Sequence, residues 1–82
     1  MVIPDVFVRY FAAAADAAGR EEESFASLST VGELRDVLRE KYGEPMTRVL
    51  LNGSFLVDGI VSSNDASSLG LKVDVLPPFS GG

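Results

Sequence analysis

The sequence contains no cysteine and no histidine. Without cysteine no disulfide can hold the fold together, and a cytoplasmic location is the simplest expectation. Without histidine the chain lacks the commonest general base and the commonest metal ligand. Nucleophilic sites that pair serine or cysteine with histidine are therefore excluded for this chain acting alone, and so are zinc sites. We expect no metal site and no enzyme that works on its own.

Long apolar runs and an excess of positive charge are also missing. No run approaches the ~18 residues that a membrane-spanning helix needs, so we expect neither a span nor a signal peptide. The net charge of −5 argues against nucleic acid as a partner, because phosphate binding needs a basic patch. The 82 residues, 46% apolar and 23% charged, suit one domain with one hydrophobic core.

Strand and helix patterns alternate along the chain. Runs rich in β-branched, aromatic and other apolar residues predict strands at 6–11, 20–28, 48–51, 55–57, 60–61 and 71–76. The alanine run at 12–18 predicts a short helix that ends at Gly19. Thr30 and Glu33 form a capping box at the start of the main helix, which Gly43 and Pro45 bring to an end.

Periodicity predicts which residues are buried. In the main helix the buried stripe is Val31, Leu34, Val37, Leu38 and Tyr42. In the first strand Val6, Val8 and Tyr10 face the core, and in the last strand Leu71, Val73 and Val75 do. Phe25 is the expected core residue of the second strand, whose acidic residues 21–23 predict a solvated edge. Asn52-Gly53 and Asp58-Gly59 predict turns.

The segment after the last strand has an unusual composition. Pro77 and Pro78 fix φ and lack a backbone N–H, so the strand cannot continue through them. Gly81 and Gly82 have no Cβ, which lets the backbone enter a channel too narrow for other residues. This pattern is typical of a stiff, thin tail that a second protein handles, although a glycine-rich terminus can also be simply frayed.

Three segments carry a resemblance to a known family. VRYFAAAADAAG at 8–19, TVGELRDVL at 30–38 and VDVLPPFSGG at 73–82 resemble the β-grasp, ubiquitin-like sulfur carriers, most closely the small subunits of molybdopterin synthase. The resemblance implies a two-layer α+β domain at 1–76, with a mixed sheet, one main helix and a short helix after the first strand, and an extended functional tail at 77–82. Gly70-Leu71-Lys72 departs from the acidic Gly-Asp-Glu turn common in the family, which leaves Asp58, Asp65 and Asp74 as the nearest carboxylates.

The resemblance also implies a function in molybdenum cofactor biosynthesis. An ATP-dependent activating enzyme would adenylate the carboxylate of Gly82, and sulfur would then displace AMP to give a thiocarboxylate. The large synthase subunit, in a heterotetramer, would admit this end, where the sulfur attacks the pterin precursor. Gly82 is the carrier, Gly81 gives clearance, and Pro77 and Pro78 stiffen the tail. The chain itself would bind no cofactor.

The partner surface and two alternatives complete the interpretation. Phe11, Leu76, Phe79 and Ile60 are expected to form an apolar dock for the large subunit or the activating enzyme, because contiguous apolar patches usually mark interfaces. One alternative is a ubiquitin-like protein modifier, or a sulfur carrier for thiamin, cysteine or tRNA thiolation. The other is a plain β-grasp interaction domain with an incidental tail.

Overall fold

Residues 5–78 are described by the computed structural model, and they form a mixed sheet with helices packed on one face. In chain order the elements are β1 Val6–Tyr10, α1 Ala13–Ala18, β2 Glu22–Phe25, α2 Val31–Tyr42, α3 Glu44–Asn52, β3 Ser54–Val57, β4 Ile60–Ser62 and β5 Lys72–Leu76. The strand order is β2-β1-β5-β3-β4. β1 and β5 pair in parallel at the centre, and the other neighbours pair antiparallel. This is the two-layer α+β architecture that the sequence predicts.

Helix α2 is the main helix, and its predicted start is confirmed. The N–H of Glu33 donates to Oγ1 of Thr30 over 3.2 Å, and the N–H of Thr30 donates to Oε1 of Glu33 over 3.1 Å. Val31, Leu34 and Leu38 are fully buried along one side of the helix. The helix therefore packs its apolar stripe on the sheet, as the spacing predicts.

A third helix, α3, stands where the sequence predicted a strand at 48–51. Pro45 ends no helix here, because it lies in the first turn of α3, where proline is well tolerated. Met46, Val49 and Leu50 are buried and recur at helical spacing. Asn52 is the last residue of this helix, so Asn52-Gly53 is not a hairpin turn. The strand prediction failed because a run of three apolar residues, Val49, Leu50 and Leu51, fits the period of a strand and that of a helix equally well.

Two predictions about burial are also wrong. Strand β2 is shorter than predicted and Glu23 is buried in it, so the acidic run does not lie wholly on a solvated edge. Leu71 precedes β5 and is 67% exposed, so it does not face the core. Phe25 packs against the core as predicted, although it is only half-buried. Asp74 lies on the side of β5 opposite Val73 and Val75, as alternation requires, yet it is buried. The helix end at Gly19 is confirmed, with φ of 70° and its N–H bonded to the carbonyl of Ala15.

The core lies between the helices and one face of the sheet, which we call the inner face. Val6, Val8 and Tyr10 of β1 are buried there as predicted, beside Val73 and Val75 of β5. The opposite side, which carries Phe7, Arg9, Leu56, Val61 and Asp74, is called the outer face. None of the helices within residues 5–78 is long and apolar enough to cross a bilayer.

Candidate functional site

The tail leaves the sheet from its central strand. Val73, Asp74 and Val75 are buried in β5, which is hydrogen-bonded to β1 on one side and to β3 on the other. Leu76 and Pro77 are half-buried, and Pro78 is exposed. We call Leu76, Pro77 and Pro78 the tail root. Because the sheet holds β5 on both sides, the core fixes the point from which the tail root leaves the sheet.

Gly53 brings the end of α3 against the tail root. A Cβ on this residue would overlap the carbonyl oxygen of Leu76 and lie 2.6 Å from the carbonyl oxygen of Val49. The φ of Gly53 is −89°, which any residue can adopt, so glycine is required here by space and not by backbone conformation. Glycine at this position therefore lets the helix layer support the last residue of β5.

Two of the predicted partner-binding residues lie together at the tail root. The N–H of Phe11 donates to the carbonyl oxygen of Val75 over 3.1 Å, so Phe11 follows β1 directly beside the end of β5. Val75 faces the core, so by alternation Leu76 points to the outer face, as Phe11 does. Phe11 is 39% exposed and Leu76 is half-buried. The predicted juxtaposition of these two residues is therefore present.

Ile60, the third predicted contact, lies elsewhere. Ile60 pairs with Val57, which in turn pairs with Val73. Ile60 therefore lies on the inner-face side of the sheet, level with the beginning of β5. The residues of this sheet edge that do reach the outer face are Leu56 and its neighbour Val61, which is 65% exposed. The sequence alone could not predict which face Ile60 occupies, because a strand of three residues is too short to show an alternation of apolar and polar side chains.

An ion pair lies in the middle of the outer face. Arg9 donates from Nε to Oδ1 of Asp74 over 2.8 Å and from Nη2 to Oδ2 over 3.1 Å, which is a bidentate geometry. The hydrogen bond to Asp74 raises the pKa of Arg9. The guanidinium also lies 5.4 Å from the centre of the Phe11 ring. The pair therefore satisfies the buried carboxylate of Asp74 and supports the exposed ring at the tail root.

Asp58 and Asp65, the other two carboxylates named beside the Gly70-Leu71-Lys72 turn, also accept hydrogen bonds from within the chain. Oδ1 of Asp58 accepts the N–H groups of Leu71 and Lys72 over 3.2 and 3.0 Å. Asp65 accepts from Nε of Arg35 over 3.1 Å. Asp58 thus ties the loop before β5 to the sheet, a structural role that the sequence did not indicate.

A buried carboxylate on the inner face was missed by the sequence. Glu23 lies opposite Val8, and its Oε1 accepts hydrogen bonds from the hydroxyls of Tyr10 and Tyr42. Its Oε2 accepts from Arg20 over 2.9 Å and from Lys41. We call this group of residues the Glu23 cluster. It joins β1, β2 and the end of α2.

The cluster shifts the acidity of its members. Burial alone would raise the pKa of Glu23, but the hydrogen bonds from Lys41, Tyr42 and Tyr10 outweigh it and lower the pKa to about 2. Burial, together with the bond to the same carboxylate, raises the pKa of Tyr10 and of Tyr42. Glu23 is therefore ionised at neutral pH, and its charge is neutralised inside the domain.

The remaining predicted site residues fall outside the described part of the chain. Phe79, Gly81 and Gly82 are among residues 79–82, so their roles stay predictions. Pro77 and Pro78 follow β5 as the sequence predicts, and their stiffening role is likewise a prediction. Within residues 5–78 no group of three acidic residues is arranged to hold a metal ion.

Comparison with known proteins places this geometry in context. The model of the ThiS family matches residues 8–82. A protein of Pyrococcus furiosus described as subunit 1 of a molybdopterin converting factor has a similar structure, with a TM-score of 0.78 and 23% identity over 94% of this chain and 100% of its own. The HVO 2177 protein of Haloferax volcanii has a TM-score of 0.69 and 22% identity over 96% of this chain and 87% of its own. No curated protein gives a significant sequence match. The two structures support the β-grasp fold that the sequence predicts.

Proposed function

The chain belongs to the ThiS family of sulfur carriers, and on that premise we propose that it carries sulfur as a thiocarboxylate on Gly82 into molybdenum cofactor synthesis. The observation that carries this proposal is the origin of the tail. The family match extends through the tail, and Pro77-Pro78 follow a buried central strand. A domain built in this way anchors the tail root in the centre of the sheet.

The chemistry requires help from a second protein. A carboxylate is a poor electrophile, because attack must displace oxide from a carbon that already carries negative charge. An activating enzyme that uses ATP would join the carboxylate of Gly82 to AMP, and sulfur would displace AMP to leave the thiocarboxylate. The chain supplies position and no catalytic group. A tethered tail raises the effective concentration of sulfur at the acceptor.

The outer face gives such a partner a place to dock. Phe11 and Leu76 lie at the tail root, and Leu56 and Val61 extend the apolar surface across β3 and β4. These four residues are called the docking face. They lie around the Arg9–Asp74 ion pair on the side of the sheet that the helices leave uncovered, and apolar residues gathered on one exposed face suit an interface. Phe79, the predicted neighbour, lies outside the described residues. The partner that we propose is the large subunit of a molybdopterin synthase, with the activating enzyme using the same face.

Molybdopterin as the destination is supported by the Pyrococcus furiosus neighbour and by the sequence VDVLPPFSGG. The same activated carboxyl group could instead supply sulfur for thiamin, cysteine or tRNA, or form an isopeptide bond with a lysine. These destinations differ in their acceptor and share the first activation step. An experiment that separates activation from transfer therefore distinguishes them.

Intact-mass analysis tests the proposal in two stages. The full chain is incubated with ATP, a sulfur donor and the activating enzyme of its own organism, and we expect the mass change of one oxygen replaced by sulfur. The product is then mixed with the large subunit and the pterin precursor, and the mass should return to its starting value as molybdopterin forms. Absence of the first change would overturn the carrier proposal. A first change without the second would exclude molybdopterin as the acceptor.

The tail itself is tested by substitution of Gly81. We expect Gly81→Val to lower sulfur transfer by about a hundredfold or more, since a misplacement of about 1 Å at a reacting group costs roughly that much. Gly81→Ala, which adds one methyl group, is the graded control. Thermal stability should be unchanged in both variants. Turnover of Gly81→Val at the wild-type rate would contradict the clearance role.

A further inference from the structure

The chain has only two lysines, Lys41 and Lys72, and their amines lie in different surroundings. We propose that Lys72 is an acylation site of this protein, at which an activated carboxyl group forms an amide, and that the Glu23 cluster withholds Lys41 from the same reaction. The acyl donor is any activated carboxyl group. An acyl adenylate on a second copy of this chain is one such donor, and only that case rests on the proposed function.

Lys41 is held at the inner-face edge of the domain. Its Nζ donates to Oε2 of Glu23, a carboxylate whose side chain is only 4% exposed. The ammonium also lies 5.4 Å from the ring centre of Phe25 and 5.6 Å from that of Tyr42. The hydrogen bond to Glu23 raises the pKa of Lys41. The amine of Lys41 must therefore leave its hydrogen bond with Glu23 and lose a proton before it can attack a carbonyl carbon.

Lys72 has the opposite setting. It is exposed at the beginning of β5, on the outer face opposite Phe7. Within residues 5–78 its side chain makes no ion pair. Its backbone makes two hydrogen bonds with Asp58, because its N–H donates to Asp58 Oδ1 over 3.0 Å and its carbonyl accepts from the N–H of Asp58 over 2.8 Å. A firmly held backbone therefore presents an amine that no neighbour in that part of the chain occupies.

The reaction at Lys72 needs no group beyond the amine and the activated acyl donor. The lone pair of Nζ attacks the carbonyl carbon, and a C–N bond forms. The bond between that carbon and the oxygen of the leaving group breaks, which is the AMP oxygen in an acyl adenylate. The proton lost from nitrogen passes to solvent. No oxidant or reductant is involved.

Limited acetylation of the full chain tests this assignment without any partner protein. The folded protein is treated at pH 8 with less than one equivalent of an N-hydroxysuccinimide ester of acetic acid, and peptide mapping measures acetylation at each lysine. We expect labelling of Lys72 to exceed that of Lys41 severalfold, because Nζ of Lys41 must first leave its hydrogen bond with Oε2 of Glu23. The same reaction in denaturant gives the ratio without structure, which should be near one.

Two variants separate the cause from a general difference in exposure. Glu23→Gln removes the negative charge beside Lys41 and should raise labelling of Lys41 severalfold. Glu22→Gln, a change at the exposed neighbour on the outer face, should leave the ratio as in the wild type. Equal labelling of the two lysines in the folded wild-type protein would overturn the proposal, and so would an unreactive Lys72. Because the reagent bypasses ATP and the activating enzyme, this outcome is independent of the sulfur-carrier test.

Discussion

Glu23 shows how a single residue can depart from what its sequence context predicts. It belongs to a run of three glutamates, which usually marks a solvated edge. Its side chain instead turns to the inner face, where four side chains donate to it. The donors come from distant positions in the chain, Tyr10, Arg20, Lys41 and Tyr42. No local pattern can reveal a partner set that exists only after folding.

The Glu23 cluster makes the stability of the domain dependent on acid. The pKa of Glu23 is lowered from an ordinary 4.5 to about 2, so its ionised form is favoured by folding. A lowered folded pKa gives stability that is full above the unfolded pKa and is lost as the pH falls toward the folded one. We expect the free energy of unfolding to decrease between about pH 4.5 and pH 2. Chemical denaturation at a series of pH values measures this.

Glu23→Gln should flatten that acid dependence and lower stability at pH 7 by about 1–3 kcal/mol, since it leaves buried donors poorly satisfied. Glu22→Gln is the matched control on the exposed side of β2, with an expected change within about 0.5 kcal/mol. If Glu22→Gln flattened the acid dependence equally, the relevant carboxylate would be another one.

At the scale of elements, local signals predicted α2 and missed α3. The capping box and the buried stripe of α2 both lie within one short segment, so local sequence was sufficient to predict this helix. Helix α3 begins directly after Gly43, with a proline in its first turn, and that proline was interpreted as a terminator. The spacing of Met46, Val49 and Leu50 was the available signal for a helix. Choosing between the two periods required the packing of α3 beside α2, which is a tertiary contact.

Leu38→Ala tests the packing of α2. Leu38 is fully buried, so we expect a loss of about 2–5 kcal/mol in the free energy of unfolding. That is a large part of the roughly 5–15 kcal/mol of a small domain. Arg39→Ala, on the exposed side of the same helix, should change stability by less than about 0.5 kcal/mol. An unchanged denaturation midpoint for Leu38→Ala would mean that the helix buries a different face.

Gly53→Ala tests the contact between α3 and the tail root. The added Cβ would overlap the carbonyl oxygen of Leu76, and relieving that overlap should cost about 1–3 kcal/mol of stability. The same displacement moves the base of the tail, so sulfur transfer should fall as well. Asn52→Ala, at the exposed preceding position, is the control for both measurements. A Gly53→Ala protein with wild-type stability would show that the helix end can move freely.

At the scale of the whole molecule, the sequence correctly indicated that Phe11 and Leu76 lie together at the tail root. The positions of Phe11 and Leu76 on the outer face follow from alternation in strands of five residues. The parallel pairing of the first and last strands then brings the two residues together. Ile60 was grouped with them because its strand was expected to lie beside the last strand, but β4 pairs with β3, and the register of that pairing decides the position of Ile60. Register is set by contacts between strands, so the sequence alone could not exclude Ile60 or select Leu56 and Val61.

The docking face gives a prediction for binding. Phe11→Ser and Leu76→Ser should each weaken affinity for the large subunit by roughly ten- to a hundredfold, the equivalent of losing about 1.5–3 kcal/mol of apolar burial. Ile60→Ser is the matched control, because Ile60 is 70% exposed and lies away from the tail root. Calorimetry measures binding, and circular dichroism checks folding. Folded Phe11 and Leu76 variants that bind normally, or an Ile60 variant that binds as poorly as they do, would place the interface elsewhere.

The central pairing of β1 with β5 also governs when this protein can fold. Arg9 and Asp74 face each other across 65 positions of the chain, so the middle of the sheet closes only after nearly all of the domain has left the ribosome. Contacts between residues so far apart in the chain form late, because closing the long intervening loop costs conformational entropy. In the finished sheet β5 is the strand that joins the β2-β1 pair to the β3-β4 pair. An activating enzyme that recognised the proposed docking face beside the tail root would therefore act on completed domains.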